Sequence, residues 1–321
     1  MAVTDYDRST AITLDLVIPK VVDQTKVNSP VISTVFGAME KKSGGKQLHI
    51  PVRYAFSDKI GSYSGLEQAD YGLVSTRTRA VFDWKQYRGT LAVDNLELAK
   101  NAGEGKVVDL MAEDLKELQE SMEDNLATMF YGNGTGNSSK DFLGLIAAAD
   151  DGTNVDTYGG IVRTSYSWFQ SYYNAAAGAQ SLSMWATAYD DVASGNDKPD
   201  LILTTESVWT GYEALLQPQA RYNFAQNGYP KADGGFPSIL FRGTDIVSDE
   251  KCTSGYAYVL NKKYLHFYWL AHPEYPTGKN GFAVSPLEKP VGQDGRVRTI
   301  YLYGEFVTDQ PRRLGALRGI S

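Results

Sequence analysis

Hydrophobic positions recur along the chain with two different periods, and the change of period divides it into elements. Residues 104–131 carry apolar side chains every three or four positions, with acidic side chains on the opposite side. This period predicts one amphipathic helix of about seven turns. Glycines at positions 132, 134 and 136 follow it and indicate its end. The apolar stripe consists of Val107, Met111, Leu115, Leu118, Met122, Leu126 and Met129.

Period-two alternation precedes this helix. Apolar and polar residues alternate over 47–56, and residues 76–93 are rich in β-branched and aromatic side chains. These patterns predict two long strands, and Pro51 places the first at a sheet edge. The polar segment of roughly twenty residues between them is uncommon in a compact domain and is typical of a functional loop. We therefore predict a protruding hairpin that needs a neighbour.

A short helix is predicted before the hairpin. Ser29 suits the N-cap position and Pro30 the first helical position. Apolar residues from Val31 to Met39 fall on one helical face, and Gly44 and Gly45 lie beyond the helix end. Residues 1–28 show no strong period and are interpreted as an extended arm.

The second half of the chain alternates between the two periods, which predicts an α/β unit. A helix with Trp185, Tyr189 and Val192 facing inward precedes the buried strand "KPDLILTT". A helix with Val208 and Tyr212 inward follows it, and the strands "SILFRGTDIVSDE", "GYAYVLN" and "YLHFYWL" come next. The segment "GRVRTIYLYGEFVTDQP" predicts a further strand or hairpin near the end.

Residue composition and net charge limit the classes of protein to which this chain can belong. With 42% hydrophobic and 21% charged residues among 321, the chain has the composition of a folded protein. A net charge of −7 argues against a protein that coats nucleic acid. Cys252 is the single cysteine, so no intrachain disulfide forms. No targeting segment and no apolar run of membrane-spanning length is present, and we expect the chain to be made and kept in the cytoplasm unless cell lysis releases it.

Catalytic chemistry finds little support in the sequence. The glycines of "YGNGTGNSS" follow a helix, whereas a dinucleotide-binding loop follows a strand. His49, His266 and His272 belong to no zinc motif. We predict no catalytic residues, no metal and no cofactor. The 21 tyrosines, 12 phenylalanines and 5 tryptophans suit protein interfaces, and they equally suit the sugar platforms of a carbohydrate-active enzyme.

The stretch "YGGIVRTSYSWF" at residues 158–169 allows two interpretations. Gly159 and Gly160 before Arg163 resemble a phosphate cradle, and they also resemble a tight turn that leads into a packing surface. The residues alone leave both open.

The order of elements, together with three local motifs, resembles the major capsid protein of tailed bacteriophages, which has the Hong Kong 97-type fold. The motifs are "TYGGIVR…SYSWF", "KPDLILTTESVWTGYEALLQPQARY" and "LFRGTDIVSDE…YVLNKKYL". The resemblance spans about residues 30 to 310, and the order and spacing of the motifs carry it.

The resemblance implies an α+β architecture and a place for each segment. Gly159 and Gly160 become the turn at the entry to the axial domain, with Ile161, Arg163 and Trp168 in its packing. Arg163 is then interpreted as a salt-bridge or interface residue. The implied segments are an N-terminal arm with a short helix (1–45), an extended loop (46–94), a peripheral domain (95–149) with a spine helix (104–131), an axial domain (150–275), and returning strands of the peripheral domain (276–321).

The resemblance also implies a structural function with no enzymatic activity: self-assembly in the host cytoplasm into hexamers and pentamers of an icosahedral shell that encloses double-stranded DNA. Further implied partners are a portal, a scaffold and a decoration protein, with no membrane. An encapsulin-like compartment and a soluble carbohydrate-active enzyme remain alternatives. Candidate inter-subunit contacts on the extended loop are Arg53, Asp58, Lys59, Glu67, Asp70, Arg77 and Arg79.

Overall fold

Two sheets and a long helix share one hydrophobic core. The computed structural model describes residues 29–102, 109–216, 239–278 and 280–321. The helices are α1 (Pro30–Gly37), α2 (Asn95–Lys100), α3 (Leu110–Phe130), α4 (Gly136–Ser139, a single turn), α5 (Leu145–Ala148), α6 (Leu182–Val192) and α7 (Glu206–Leu216).

Fifteen strands lie in the described residues. They are β1 (Met39–Lys42), β2 (Leu48–Arg53), β3 (Arg77–Phe82), β4 (Lys85–Asp94), β5 (Thr157–Tyr158), β6 (Ile161–Val162), β7 (Tyr172–Asn174), β8 (Leu201–Thr204), β9 (Ile239–Phe241), β10 (Thr244–Ser248), β11 (Tyr256–Leu260), β12 (Leu265–Leu270), β13 (Ala283–Val284), β14 (Gly295–Thr308) and β15 (Gly315–Arg318).

The first sheet is built around the long strand β14. It pairs antiparallel with β4 on one side and with β12 and β13 on the other, and β1 adds parallel to β12. Helix α3 packs on this sheet, with the ring of Phe130 5.6 Å from Phe306 and 5.8 Å from Phe267. Met122 and Leu126 of the apolar stripe are buried in the same cluster as these rings, so this side of the helix faces the sheet.

The second sheet has the strand order β7-β15-β11-β8-β10-β9. Every residue of β8 and β11 is buried, as expected for central strands. Helices α6 and α7 lie on this sheet, and Trp185 meets Tyr212 edge to face with ring centroids 5.6 Å apart. The inward positions predicted for Trp185, Tyr189, Val192, Val208 and Tyr212 are confirmed.

Three local predictions differ from the structure. The long helix begins at Leu110 rather than at residue 104. The Asp109 side chain accepts a hydrogen bond from the Ala112 N–H at 3.3 Å and so caps the helix at this point. Residues 103–108 lie outside the described part. The stretch 76–93 is two strands, β3 and β4, separated at Asp83 and Trp84. Met39 starts strand β1 and is not on the helix face. The N-terminal arm 1–28 lies outside the described residues.

Sheet membership also departs from the sequence expectation. Strand β12 was expected within 150–275 with the α/β unit, but it pairs with β14 in the first sheet. Strand β15 was expected with the returning strands 276–321, but it inserts between β7 and β11 in the second sheet. Within the described residues, the chain passes from one of these two sheets to the other three times. Each time, one 3-10 turn lies just before the strand that joins the new sheet. These turns are Ser167–Phe169, Lys262–Tyr264 and Pro311–Arg313.

Candidate functional site on a protruding arm

Strands β2 and β3 form a two-stranded ribbon of their own, paired from Leu48–Phe82 to Arg53–Arg77. Beyond the Arg53–Arg77 pair, residues 54–76 contain no helix and no strand. We call these residues the arm. Its root is fixed to the body because the Val81 N–H donates to the Gly159 carbonyl at 2.8 Å and the ring of Phe82 lies 5.0 Å from Tyr158.

The first residue of the arm is also anchored. The ring of Tyr54 stacks on Trp168 with centroids 5.3 Å apart, and the Tyr54 hydroxyl donates to the Ser75 carbonyl at 2.8 Å. This bond joins the two ends of the arm, so the arm projects from a defined position.

Large apolar side chains on the arm are open to solvent. Six of them expose 81% or more of their surface. Six such side chains within one segment of 23 residues indicate an interaction surface. Sequence reasoning listed the charges of this loop and missed these residues, although large apolar residues in an otherwise polar loop were a usable signal. The six are Phe56, Ile60, Tyr63, Leu66, Tyr71 and Leu73.

The charged residues predicted as contacts lie on or beside the arm. Lys59 forms an ion pair with Asp70, and the hydrogen bond from Lys59 lowers the pKa of that exposed carboxyl. This pair holds two arm segments together. The Glu67 carboxylate accepts from the Ser64 N–H at 3.1 Å, while the Arg53 Nε donates to the Ala55 carbonyl at 3.2 Å.

The other predicted charges are exposed. Asp58 lies in the arm, and Arg77 and Arg79 lie on β3 at its root. The charged residues predicted as contacts thus lie in the same part of the chain as the six apolar side chains, and their inter-subunit contacts stay a prediction.

Gly159 and Gly160 form the two-residue turn between β5 and β6, with φ of 56° and 74°. These angles favour glycine. At Gly159 a Cβ would lie 2.7 Å from Cζ of Phe82, so glycine also permits the close approach of the arm root. Ile161 is buried and Trp168 half-buried beside this turn. The geometry is that of a turn leading into a packing surface.

Arg163 is completely buried. Its guanidinium donates to the carbonyls of Ala147 at 2.6 Å and Ala148 at 3.0 Å, and it lies 3.9 Å from the carboxylate of Asp150. Arg163 was interpreted as a salt-bridge or interface residue; in the structure its side chain has no exposed surface and lies beside the Asp150 carboxylate. Its hydrogen bonds link the end of β6 to α5 in the protein interior.

The first sheet contains a buried carboxyl group, that of Glu305, whose pKa is raised. Burial raises the pKa of Glu305 to about 8, although the N–H groups of Leu143 at 2.8 Å and Phe306 at 3.1 Å donate to it and Lys85 lies nearby. Its position in the middle of an apolar strand gave no signal in the sequence. Burial likewise raises the pKa of Cys252 to about 12, which leaves its thiol protonated and unsuited to nucleophilic chemistry.

Within the described residues, no group of three or more His, Cys, Asp or Glu side chains is arranged to hold a metal ion. No helix found there has both the length and the apolar character needed to cross a membrane.

Comparison with solved structures gives likenesses that span nearly the whole chain. A capsid subunit of cyanophage A-1(L) matches with a TM-score of 0.73 at 13% identity, covering 97% of this chain and 98% of that one. The capsid protein of cyanophage P-SCSP1u matches with a TM-score of 0.61 at 11% identity, covering 97% and 94%. The SrpI encapsulin of Synechococcus elongatus matches with a TM-score of 0.61 at 12% identity, covering 100% and 97%.

No family model and no curated protein matches the sequence. The structural likenesses nevertheless show the fold, which is the Hong Kong 97-type fold, and the predicted fold class is confirmed. The resemblance to tailed-phage capsid proteins, expected from the order of the motifs, is confirmed at the level of structure.

Proposed function

We propose that this chain is the major capsid protein of a tailed phage and assembles into the icosahedral shell of its head. The observation that carries the proposal is the arm, on which six large apolar side chains stand in solvent on a chain with a shell-forming fold. A monomeric protein gains nothing from such a surface, whereas a neighbouring copy can cover it.

The free energy gained by covering the apolar side chains of the arm supports assembly. Covering one exposed large apolar side chain contributes about 1.5–3 kcal/mol. Six of them give on the order of 10 kcal/mol per contact, before the cost of ordering the arm and losing subunit freedom is subtracted. Since every subunit carries one arm, this contribution repeats at each contact of a shell.

The exposed charges have a smaller effect. We assign inter-subunit contacts to Arg53, Asp58, Glu67, Arg77 and Arg79, and to the Lys59–Asp70 pair as a unit. Exposed ion pairs contribute about 0.2–1 kcal/mol each, so their main effect is on the geometry of the contact.

Further partners and location follow from the same proposal. The shell would enclose double-stranded DNA without sequence-specific contacts, in keeping with the net charge of −7. Assembly in the host cytoplasm, a portal, a scaffold and a decoration protein belong to this proposal. So does a division into peripheral and axial domains, with β12 in the first sheet and β15 in the second.

An encapsulin-like compartment is a second candidate, favoured by the likeness to the Synechococcus encapsulin over the full chain. The two candidates share self-assembly and differ in the enclosed material. Nucleic acid inside shells from the native source supports the phage head, whereas enclosed protein supports the compartment.

Negative-stain electron microscopy with sedimentation of the purified protein tests the proposal. We expect closed shells or five- and six-membered rings, and we expect none after deletion of residues 57–76, with a folded subunit retained. Val291→Ser is a matched control, because Val291 is an equally exposed apolar residue outside the arm. A protein that stays monomeric when mixed with candidate scaffold proteins, or one that forms normal shells without the arm, contradicts the proposal. The first outcome would favour the carbohydrate-active enzyme.

A further inference from the structure

A cavity of about 660 Å³ opens between the start of β4 and the segment that follows α3. It is lined by residues 84–88, by part of that segment and by two tyrosines of β14, and no arm residue lines it. Ligand cavities in proteins usually measure about 300–1,000 Å³ and combine apolar walls with a few well-placed polar groups. The size of this cavity is therefore that of a site for a small molecule.

The cavity is rich in positive charge. Among the described residues, Lys85, Arg88 and Lys140 line it against a single carboxylate, that of Asp141. Arg88 and Lys140 are exposed, and neither side chain has a hydrogen bond or an ion pair within the described part of the chain. Lys85 donates to the Ser139 carbonyl, which is an uncharged group. On a chain with a net charge of −7, such a cluster indicates a binding site for an anion.

Aromatic rings form another part of the cavity wall. The rings of Tyr301 and Tyr303 are partly exposed, and both lie against the ring of His272, with centroids 5.0 Å and 5.4 Å from it. His272 is itself fixed, because its Nδ1 accepts from the N–H groups of Glu274 and Tyr275, each at 3.1 Å. The two tyrosine rings are thus held in place before a ligand arrives, which favours stacking with a planar group.

Cations and aromatic rings around one cavity match the two parts of a nucleotide. Lys and Arg side chains recognise phosphate groups, and a base stacks on an aromatic ring. An inorganic anion would leave the rings without a contact, and an uncharged aromatic compound would leave the cations unpaired. A nucleotide satisfies both.

We propose that this cavity binds a nucleotide, with the phosphate held by Arg88 and Lys140 and the base stacked on the ring of Tyr303. The inference goes beyond the proposed shell, because every residue that it needs belongs to a single subunit. A free nucleotide and an unpaired nucleotide of single-stranded DNA present the same chemical groups. Only the second of these sources rests on the proposed function.

Isothermal titration calorimetry of the full chain tests the site with deoxyadenosine monophosphate, inorganic phosphate and deoxyadenosine. We expect the monophosphate to bind more tightly than either of the others by about tenfold or more, since each of these lacks one of the two interactions. No binding of the monophosphate, or equal affinities for the monophosphate and inorganic phosphate, would overturn the inference.

A short oligodeoxyadenylate distinguishes the two sources. An affinity per nucleotide that is similar to that of the monophosphate, or lower, supports a site for a free nucleotide. An affinity per nucleotide that is higher by about tenfold supports a site for single-stranded DNA, since further phosphates then contribute.

Two substitutions separate the charges from the rings. We expect Arg88→Gln to weaken the binding of both the monophosphate and inorganic phosphate, each by about tenfold. We expect Tyr303→Leu to weaken only the binding of the monophosphate. Arg296→Gln is the matched control, because Arg296 is an exposed arginine on β14 that does not line the cavity.

Circular dichroism verifies that each variant is folded. Unchanged affinity in folded Arg88→Gln protein, or an equal loss in Arg296→Gln protein, would overturn the inference. Shells built from protein that does not bind the monophosphate contradict the nucleotide site alone. A monomeric protein that binds the monophosphate contradicts the shell alone.

Discussion

The Ser29 hydroxyl donates to the Asp249 carboxylate at 2.6 Å, although 220 positions separate the two residues in sequence. The same carboxylate accepts from the Val31 N–H at 3.1 Å and from the Tyr131 hydroxyl at 2.9 Å. Ser29 occupies the predicted N-cap position but makes no cap hydrogen bond with its own side chain. The helix start is capped by the remote Asp249, which joins α1, α3 and the second sheet.

Replacing Asp249 tests this junction. Asp249→Asn keeps the size but turns an NH2 group toward buried donors, so we expect the free energy of unfolding to fall by about 2–4 kcal/mol. Urea denaturation followed by circular dichroism measures it. Asp245→Asn, at an exposed position four residues earlier, is the control and should change stability by less than about 0.5 kcal/mol. Equal effects of the two substitutions would contradict the junction.

Glu305 predicts a pH dependence of stability. Its pKa is about 8 in the folded protein, whereas an unfolded glutamate titrates near 4.5. The folded state therefore holds a proton that the unfolded state releases between these values. Since stability falls with rising pH wherever the native state binds more protons, we expect the free energy of unfolding to decline from about pH 5 to about pH 8.

Glu305→Gln isolates this contribution. The Gln carbonyl can accept from the same two N–H groups, and the amide does not titrate. We expect a clearly shallower decline for the variant in urea midpoints measured between pH 5 and pH 8. A decline as steep as in the unmodified protein would show that Glu305 is ionised in the fold.

His266 also has a raised pKa, and nuclear magnetic resonance follows its titration separately from that of Glu305. Its Nε2 lies 3.1 Å from the carboxylate of Asp309 and its Nδ1 3.5 Å from that of Glu40. The interaction with Asp309 is the largest cause of its raised pKa. Its stabilising effect is therefore present below the ordinary histidine value and is lost as the pH rises through the folded-state pKa.

Two substitutions rank the carboxylates around His266. We expect Asp309→Asn to lower the pKa of His266 more than Glu40→Gln does, in a titration of the imidazole proton resonances. The reverse order would assign the main interaction to β1, which carries Glu40.

The two glycines of the β5–β6 turn make a matched pair. Both have positive φ, so alanine costs about 1–2 kcal/mol at either position from backbone strain. At Gly159 the new methyl group also meets Phe82 and Ala80, whereas at Gly160 nothing lies within 4 Å. We expect Gly159→Ala to be the more destabilising by about 1–3 kcal/mol. Equal thermal unfolding midpoints for the two variants would show that the arm root does not pack closely on the turn.

Local features of this fold could be predicted from the sequence, because neighbouring residues determine them. The period of α6 and the apolar run of β8 identified both elements. The glycine pair alone left a phosphate cradle and a turn open, and only the family resemblance favoured the turn. The break at Asp83 and Trp84 was missed since β3 and β4 have similar β-forming composition. It becomes visible only when their different partners, β2 and β14, are known.

The pairing of strands that are distant in sequence could not be predicted. Nothing in the apolar run of β12 tells whether it pairs with β14 or with β11, since both neighbours would bury it. The burial of Glu305 could not be predicted for the same reason, because the Leu143 N–H that donates to it lies 162 positions away. Arg163 has closer partners, 15 and 16 positions earlier, but only the folded segment brings their carbonyls to its guanidinium. On the arm the charges were predicted as contacts, while the apolar residues among them showed no regular period and were overlooked.

The position of β15 has a consequence for synthesis on the ribosome. This strand lies between β7 and β11, yet roughly 140 residues separate it from β7. At about 5–20 residues per second, the ribosome needs about 7–28 s to make that stretch. Throughout this time the second sheet lacks an interior strand, and the nascent chain presents two unpaired edges. The arm is therefore made well before the second sheet can be completed, because that sheet gains its interior strand only after β15 has been made.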